Sequence, residues 1–277
     1  MCIAADSRLP CAPDQHPEDI LLSALEIVTV PCLSDNYAYL LRDAGTGAVA
    51  VIDAPEAAPI IAALAARGWG LDWIWLTHHH GDHVGGLAAL VERFGAKVLG
   101  AAADADRLPG LDQAVREGET IALGASKAVV IDVSGHTLHH IAFHFPRAKA
   151  LFSGDALFVL GCGRVFEGTH AMMWASLSKL ARLDPATTVW CGHEYTLANL
   201  KFARTIEPDN KALAEQGAVI EAARAAGRPT VPSTIGRELA ANPFLRAKEA
   251  PLQAALGLEG ADPAAVFGEV RRRKDAF

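Results

Sequence analysis

From Leu25 onward, short runs of branched and aromatic residues alternate with clusters of glycine, asparagine, aspartate and proline. Runs of that length with that punctuation predict strands. The pattern places strands at Glu26–Val30, Tyr37–Arg42 and Ala48–Ile52, with turns at Ser34-Asp35-Asn36 and Ala44–Gly47. The alanine-rich stretch Ala57–Arg67 predicts a helix, opened by Pro55 and closed by Gly68. A buried strand is expected at Trp73–Leu76, a helix at Gly86–Phe94 stopped by Gly95, and a strand at Lys97–Leu99. Further strands are predicted at Thr120–Leu123, Lys127–Val133, His140–Phe145, Ala150–Phe152 and Thr188–Cys191, with a helix at Met172–Leu183 ending before Asp184-Pro185. Beyond Cys191 the chain turns to helix formers, at Leu197–Ile206, Asn210–Ala226 and Ala264–Lys274. Strands with interspersed helices, then helices alone, predict an α+β fold: two sheets faced by helices, with a helical C-terminal appendage.

Composition narrows the picture. Of 277 residues 51% are hydrophobic and 21% charged, enough apolar material for a sizeable core and too much for global disorder. A net charge of −7 argues against general nucleic-acid binding, so any anionic substrate must meet a local basic patch. The five cysteines are odd in number and form no CxxC, which suits free thiols in a reducing, cytoplasmic compartment. Residues 1–24 are acidic and proline-punctuated, unlike a secretory or transit signal, and read as a loose extension. No apolar run approaches the length of a membrane span. The expected partner is a small molecule, with no nucleic acid, membrane or obligate protein partner.

The chemistry gathers after the strand at Trp73–Leu76, in Thr77-His78-His79-His80-Gly81-Asp82-His83. On an extended chain side chains alternate, so His78 and His80 face the same way. A turn at Gly81 can then aim Asp82 and His83 at a second point nearby, so one loop could serve two metals. Three other segments share one local order, in which an apolar run ends, a glycine follows, and then a candidate ligand: Gly135-His136, Gly154-Asp155 and Gly192-His193. Glycine at a strand end lets the backbone turn sharply and approach an ion. Imidazole and carboxylate donors suit zinc, and also iron or manganese, and the lack of cysteine among them disfavours a closed structural zinc site.

This constellation, over about residues 25–195, resembles the metallo-β-lactamase superfamily. The resemblance implies an αβ/βα sandwich in which His78, His80 and His136 hold one metal, Asp82, His83 and His193 hold another, and Asp155 bridges them. It also suggests that Asp53 buttresses the metal loop, against its reading as a plain turn residue. A narrower resemblance rests on Gly161-Cys162-Gly163-Arg164-Val165-Phe166-Glu167-Gly168, on Cys191-Gly192-His193-Glu194-Tyr195 and on Arg271-Arg272-Arg273-Lys274-Asp275. These are similar to the hydroxyacylglutathione hydrolase (glyoxalase II) family, from about Leu25 to Phe277. It implies a catalytic domain over 25–195 and a helical substrate-binding domain over 196–277. It further implies that Arg164, Phe166, Tyr195, Arg271 and Lys274 contact the glutathione part of a substrate. Phe166 stands where the family often has tyrosine, and His139 where it often has glycine.

The implied reaction is hydrolysis of S-D-lactoylglutathione to D-lactate and glutathione by metal-bound hydroxide, with two divalent ions per chain and Asp82 accepting a proton or orienting the nucleophile. Two rival readings remain: a mono-iron glutathione persulfide dioxygenase, and a non-catalytic metal-binding scaffold. His79 should face away from the metals, and His16, His139, His140, His144 and His170 default to packing or surface roles. Cys162 reads as a packing residue, and the Arg271–Lys274 run could also be a charged helix end favoured by the helix dipole.

Overall fold

The computed structural model describes residues 25–108 and 110–277, so the extension expected at 1–24 lies outside the described residues. The first sheet runs in spatial order β1 (Leu25–Cys32), β2 (Asn36–Asp43), β3 (Val49–Ile52), β4 (Trp73–Trp75), β5 (Lys97–Ala101) and β6 (Gln113–Val115). Its first three strands are an antiparallel meander, and β3 to β6 are parallel. The second sheet contains β7 (Thr120–Leu123), β8 (Ser126–Asp132), β9 (Ile141–Phe145), β10 (Ala150–Gly154), β13 (Thr188–Cys191) and β14 (Ser233–Thr234). Their order is β14-β13-β10-β9-β8-β7, with β10 and β13 parallel. Between β10 and β13 in the chain, β11 (Leu157–Phe158) and β12 (Gly161–Cys162) form a small hairpin.

The two sheets face each other across one core. Tyr39, Leu41, Ile52, Trp75 and Leu99 of the first meet Val130, Phe143, Phe145 and Phe152 of the second. Trp75 stacks on Phe145 at 5.8 Å and 6°. The alternate residues Ala38, Leu40, Val51 and Ile74 pack outward beneath α1 (Ala57–Ala65) and α3 (Leu87–Phe94), contributing Ile60, Leu64, Leu87 and Leu90. Burial on both faces is why these strands are nearly continuous apolar runs rather than alternating ones. The outer face of the second sheet, with Ala142, Leu151 and Val189, lies under Met173, Leu177 and Leu180 of α4 (His170–Leu180). The result is a helix–sheet–sheet–helix sandwich.

The C-terminal helices are α5 (Thr196–Ile206), α6 (Lys211–Ala225), α7 (Ile235–Ala241), α8 (Ala250–Leu256) and α9 (Pro263–Asp275). Helix α9 is opened by Asp262, which accepts from the amides of Ala264 and Ala265, and by Pro263 at its first position. It lies along α4, with Phe267 near Trp174 (6.2 Å) and Phe244 (5.9 Å), and so returns the chain end to the mouth of the sandwich. No described helix is long and apolar enough to cross a membrane.

Some elements depart from expectation. The turn at Gly81 is a single helical turn, α2 (Gly81–Val84). Helix α4 starts two residues earlier than its apolar pattern, because Thr169 caps it by accepting from the Met172 amide. Strands β6, β11, β12 and β14 are too short to show a period of their own, and α7 and α8 are short segments set by packing.

Candidate metal centre and adjoining cavity

The candidate ligands leave the two sheets at one common edge. His78 and His80 follow the C-terminal end of β4, and α2 then carries Asp82 and His83. His136 follows β8, Asp155 follows β10, and His193 follows β13. Because β10 and β13 are parallel, their ends present Asp155 and His193 side by side. Glycine is required at this approach: a Cβ at Gly192 would run into Asp155 Oδ1 and lie 2.8 Å from His83 Cε1. Gly154 has φ +49°, and a Cβ there would meet Thr77 and His140 at 2.7 Å.

The donor atoms converge as three overlapping groups: His78, His80 and His136; His78, His83 and Asp155; and Asp82, His83 and His193. His80 Nδ1 lies 3.1 Å from His78 Nε2 and 3.1 Å from His136 Nε2. His193 Nε2 lies 3.3 Å from His83 Nε2 and 3.4 Å from Asp82 Oδ2. Asp155 reaches all three groups, with Oδ1 3.3 Å from His83 Nε2 and Oδ2 3.3 Å from His193 Nε2 and 3.5 Å from His136 Nε2. Two ligand atoms about 2.1 Å from a tetrahedral ion lie about 3.4 Å apart. These separations match the spacing that ligands of one ion require. Asp155 Oδ1 is buried yet has no hydrogen-bond partner, which an ion would supply. The donor set fits a divalent metal site.

Outward hydrogen bonds hold the rings of His83, His193 and His136. His83 Nδ1 donates to Asp53 Oδ2 (2.8 Å), His193 Nδ1 to Asp35 Oδ1 (2.8 Å), and His136 Nδ1 to the Arg164 carbonyl (2.8 Å). Each bond places one ring proton outside and directs Nε2 into the centre. Asp53 also accepts from the Thr77 amide and hydroxyl, both at 2.8 Å. It has φ 58°, so it is both a left-handed turn residue and a brace for the metal loop. The sequence pattern marks Asp35 and Asn36 only as turn residues. Asn36 Nδ2 donates to the Asp82 carbonyl (3.0 Å) and carboxylate (3.2 Å). His79 turns away to Asp104 (3.1 Å), as its alternation predicts. His140 is buried and stacks on His78 at 4.6 Å, and its Nε2 accepts the Asp155 amide at 3.0 Å.

Burial pushes the pKa values of His78, His80 and His136 down, which favours neutral, ligating imidazoles. For His193, burial opposes a charge, but Asp155 and Asp82 outweigh it and push the ring up to about 10. Burial likewise opposes charge on Asp155, whose carboxyl is nonetheless held well below the usual range by His83 and His193. His193 also holds Asp82 down, chiefly through its hydrogen bond. The carboxylates thus remain anionic and call for positive charge at the centre.

The centre opens into a cavity of about 430 Å³. Its walls include His80, Asp82, His136, Asp155 and His193 and also Arg164, Phe166, Tyr195, Arg271 and Lys274. The residues singled out on α9 and in the glycine-rich segment therefore meet the candidate ligands across one space. Tyr195 stacks flat on His193 (4.6 Å, 6°), and Phe166 approaches His136 (5.2 Å) and His80 (5.9 Å). Lys274 Nζ donates to the Ala198 carbonyl at 3.2 Å. Arg271 differs from the exposed helix end that was its alternative reading. It is 3% exposed, donates to the Cys162 carbonyl at 3.1 Å, and pairs with Asp275 at 2.7 Å. Burial pushes the Cys162 thiol up to about 11, consistent with packing. Phe158 and Asn199 also line the cavity without having been singled out.

Comparison with known proteins bears on both halves. A family model described as the metallo-β-lactamase superfamily matches residues 34–193, and one described as the hydroxyacylglutathione hydrolase C-terminus matches 194–277. A hydroxyacylglutathione hydrolase of Ruegeria pomeroyi is 60% identical, over 91% of this chain and 99% of its own. Another, of a Jannaschia species, is 60% identical over 91% and 98%. Among solved structures, ETHE1 from Myxococcus xanthus is similar with TM-score 0.61 at 24% identity, covering 91% of this chain and 99% of that one. TTHA1623 in a di-iron-bound form is similar with TM-score 0.57 at 27% identity, covering 79% and 100%.

Proposed function

The chain belongs to the hydroxyacylglutathione hydrolase family of the metallo-β-lactamase superfamily, and from that premise we infer that it hydrolyses S-D-lactoylglutathione to D-lactate and glutathione. The observation that carries this reading is one cavity in which five of the seven metal-type donors, His80, Asp82, His136, Asp155 and His193, face a wall bearing Arg164, Arg271 and Lys274. In this reading His78, His80 and His136 hold one divalent ion, Asp82, His83 and His193 hold a second, and Asp155 is shared. Zinc is the first choice for these donors, with iron and manganese also accepted. Bound ions supply a water with its pKa lowered to about 7 and polarisation of the thioester carbonyl.

The chain's own residues account for the rest. Asp82 lies in the cavity wall with Asn36 on its carboxylate, placed to orient the attacking water or take its proton. The leaving thiol has a pKa near 8.5, so its departure needs little help from an acid. Arg164 and Lys274 offer charge to the carboxylates of glutathione, while Arg271 holds the Cys162 carbonyl. Phe166 and Tyr195 supply apolar wall without the phenol expected at position 166 in relatives. Residues 25–195 then form the catalytic domain and 196–277 the recognition domain.

The test is loss of thioester absorbance with S-D-lactoylglutathione, run beside oxygen uptake with glutathione persulfide and with metal content measured. Hydrolysis without oxygen uptake is expected. Oxygen uptake with one iron per chain and no hydrolysis would replace this reading with the dioxygenase.

A further inference from the structure

Behind the metal loop lies a chain of charged side chains that the reaction described above does not use. Asp104 is 1% exposed, and its carboxylate accepts from His79 Nδ1 (3.1 Å) and Arg107 Nε (2.5 Å). Arg107 Nη1 reaches across 60 residues of sequence to Glu167 Oε1 at 2.7 Å. The other oxygen, Glu167 Oε2, accepts the Leu138 amide at 2.8 Å. Glu167 follows Phe166, and the Phe166 amide donates to the His136 carbonyl at 3.3 Å. One carboxylate thus ties three pieces together: the loop carrying His78 and His80, the loop after His136, and the segment that puts Phe166 on the cavity wall.

We propose that Arg107 and Glu167 are positioning residues, a clasp that holds Phe166 against His80 and His136 and so sets the shape of the glutathione-thioester cavity. Neither side chain lines the cavity, so the clasp acts only through what it holds. A planar guanidinium bonded at one edge to a buried carboxylate has a fixed direction, and it hands that direction to Glu167. Phe166 is itself 62% exposed, and the backbone bonds that hold its segment to the His136 loop are long, 3.3 Å from the Phe166 amide and 3.2 Å from the Gly168 amide. An outside anchor is what such a residue needs.

The inference rests on the thioesterase reading, and the experiment keeps the two apart. KM and kcat are measured with S-D-lactoylglutathione for the metal-loaded native protein, Glu167→Ala, Glu167→Gln and Arg107→Lys, with affinity for S-methylglutathione measured by calorimetry. Glu167→Ala is expected to raise KM and weaken S-methylglutathione binding about tenfold, within the range for coupled groups, with kcat and metal content nearly unchanged. Glu167→Gln keeps an acceptor for Leu138 and should fall between. In a Phe166→Ala background, Glu167→Ala should have little further effect. A tenfold loss that persists in that background, or an unchanged KM in every folded variant, would overturn the clasp. If Glu167→Ala does not fold, Glu167→Gln and Arg107→Lys decide the same question through the same cycle. No hydrolysis by the native chain would overturn both readings. Native hydrolysis with indifferent variants would overturn the clasp alone.

Discussion

Asp53→Asn is the substitution that most sharply tests how the metal loop is held. Asp53 is 2% exposed and accepts three hydrogen bonds of 2.8 Å, from the Thr77 amide, the Thr77 hydroxyl and His83 Nδ1. Asparagine tolerates the left-handed backbone that φ 58° requires, so the change leaves the turn itself unstrained. The amide has one acceptor and one donor where the carboxylate had two acceptors. With its oxygen on the Thr77 amide, its NH2 faces His83 Nδ1. That ring must then carry its proton on Nε2, the atom aimed into the centre, and can no longer ligate. With the amide reversed, two donors meet at Thr77. Either way a hydrogen bond to a charged group is lost, at a cost of about 1.5–3 kcal/mol. If the cost falls on binding, affinity drops by roughly 10- to 150-fold at about 1.4 kcal/mol per decade. Competition against a coloured chelator, read as metal released at equilibrium, measures this directly. Retained affinity in a folded Asp53→Asn protein would show that His83 does not depend on Asp53 for its tautomer, and the outward hydrogen bonds would lose their proposed role.

Other expectations are as direct. Fully loaded protein should hold close to two divalent ions per chain by elemental analysis, and a ceiling of one with full thioesterase activity would contradict the shared role of Asp155. Asp155→Asn should lose metal and most of kcat while His139→Ala, outside the cavity lining, should not; similar activities would show that the ligand assignment is wrong. Arg164→Ala with Lys274→Ala should raise KM at least tenfold, at about 1.5–3 kcal/mol for a charge-assisted contact, and blunt the effect of added salt on KM. Arg271→Ala should instead lower the melting temperature as well, because it strands the Cys162 carbonyl and Asp275; an unchanged melting temperature would refute that anchoring role. Burial raises the Asp43 pKa, but hydrogen bonds from Ser126 and Thr46 outweigh it and hold the carboxyl below its usual range. Its contribution is therefore present above the ordinary carboxylate pKa of about 3.9 and lost as pH falls. Asp43→Asn should narrow the difference in melting temperature between neutral and acid pH, and an unaltered difference would count against it.

The metal loop was readable from the chain because its donors are neighbours in sequence, separated only by strand alternation and one glycine. His136, Asp155 and His193 were readable for a related reason: each directly follows a glycine at the end of an apolar run. The braces were not. Asp35 lies 158 residues from the ring it holds, and nothing in Ser34-Asp35-Asn36 distinguishes an aspartate that serves a histidine from one that merely turns the chain. Arg107 and Glu167 are likewise joined only by the fold. The central strands were legible as apolar runs, while β11, β12 and β14, two residues each, exist because neighbouring backbone offers them partners rather than through any pattern of their own. Arg271 illustrates a third case. Its place in the cavity wall was legible from the terminal basic run, but its burial is decided by Cys162 and Phe244, which the helix reaches only after α9 folds back.

The seven donors come from opposite sides of the sandwich, four following β4 and three following β8, β10 and β13 of the other sheet. Whatever ions they share are rivets through the seam between the two sheets. The seam's apolar filling can slide a little at modest cost, but a riveted edge cannot. Stripping the metal should therefore loosen the molecule unevenly. Amide exchange would quicken first around Thr77–His83 and the ends of β10 and β13, while the turn joining β7 to β8 at Leu123–Ser126, at the end of β8 opposite His136, keeps its protection. Catalysis and mechanical integrity at this edge would then be lost and regained together.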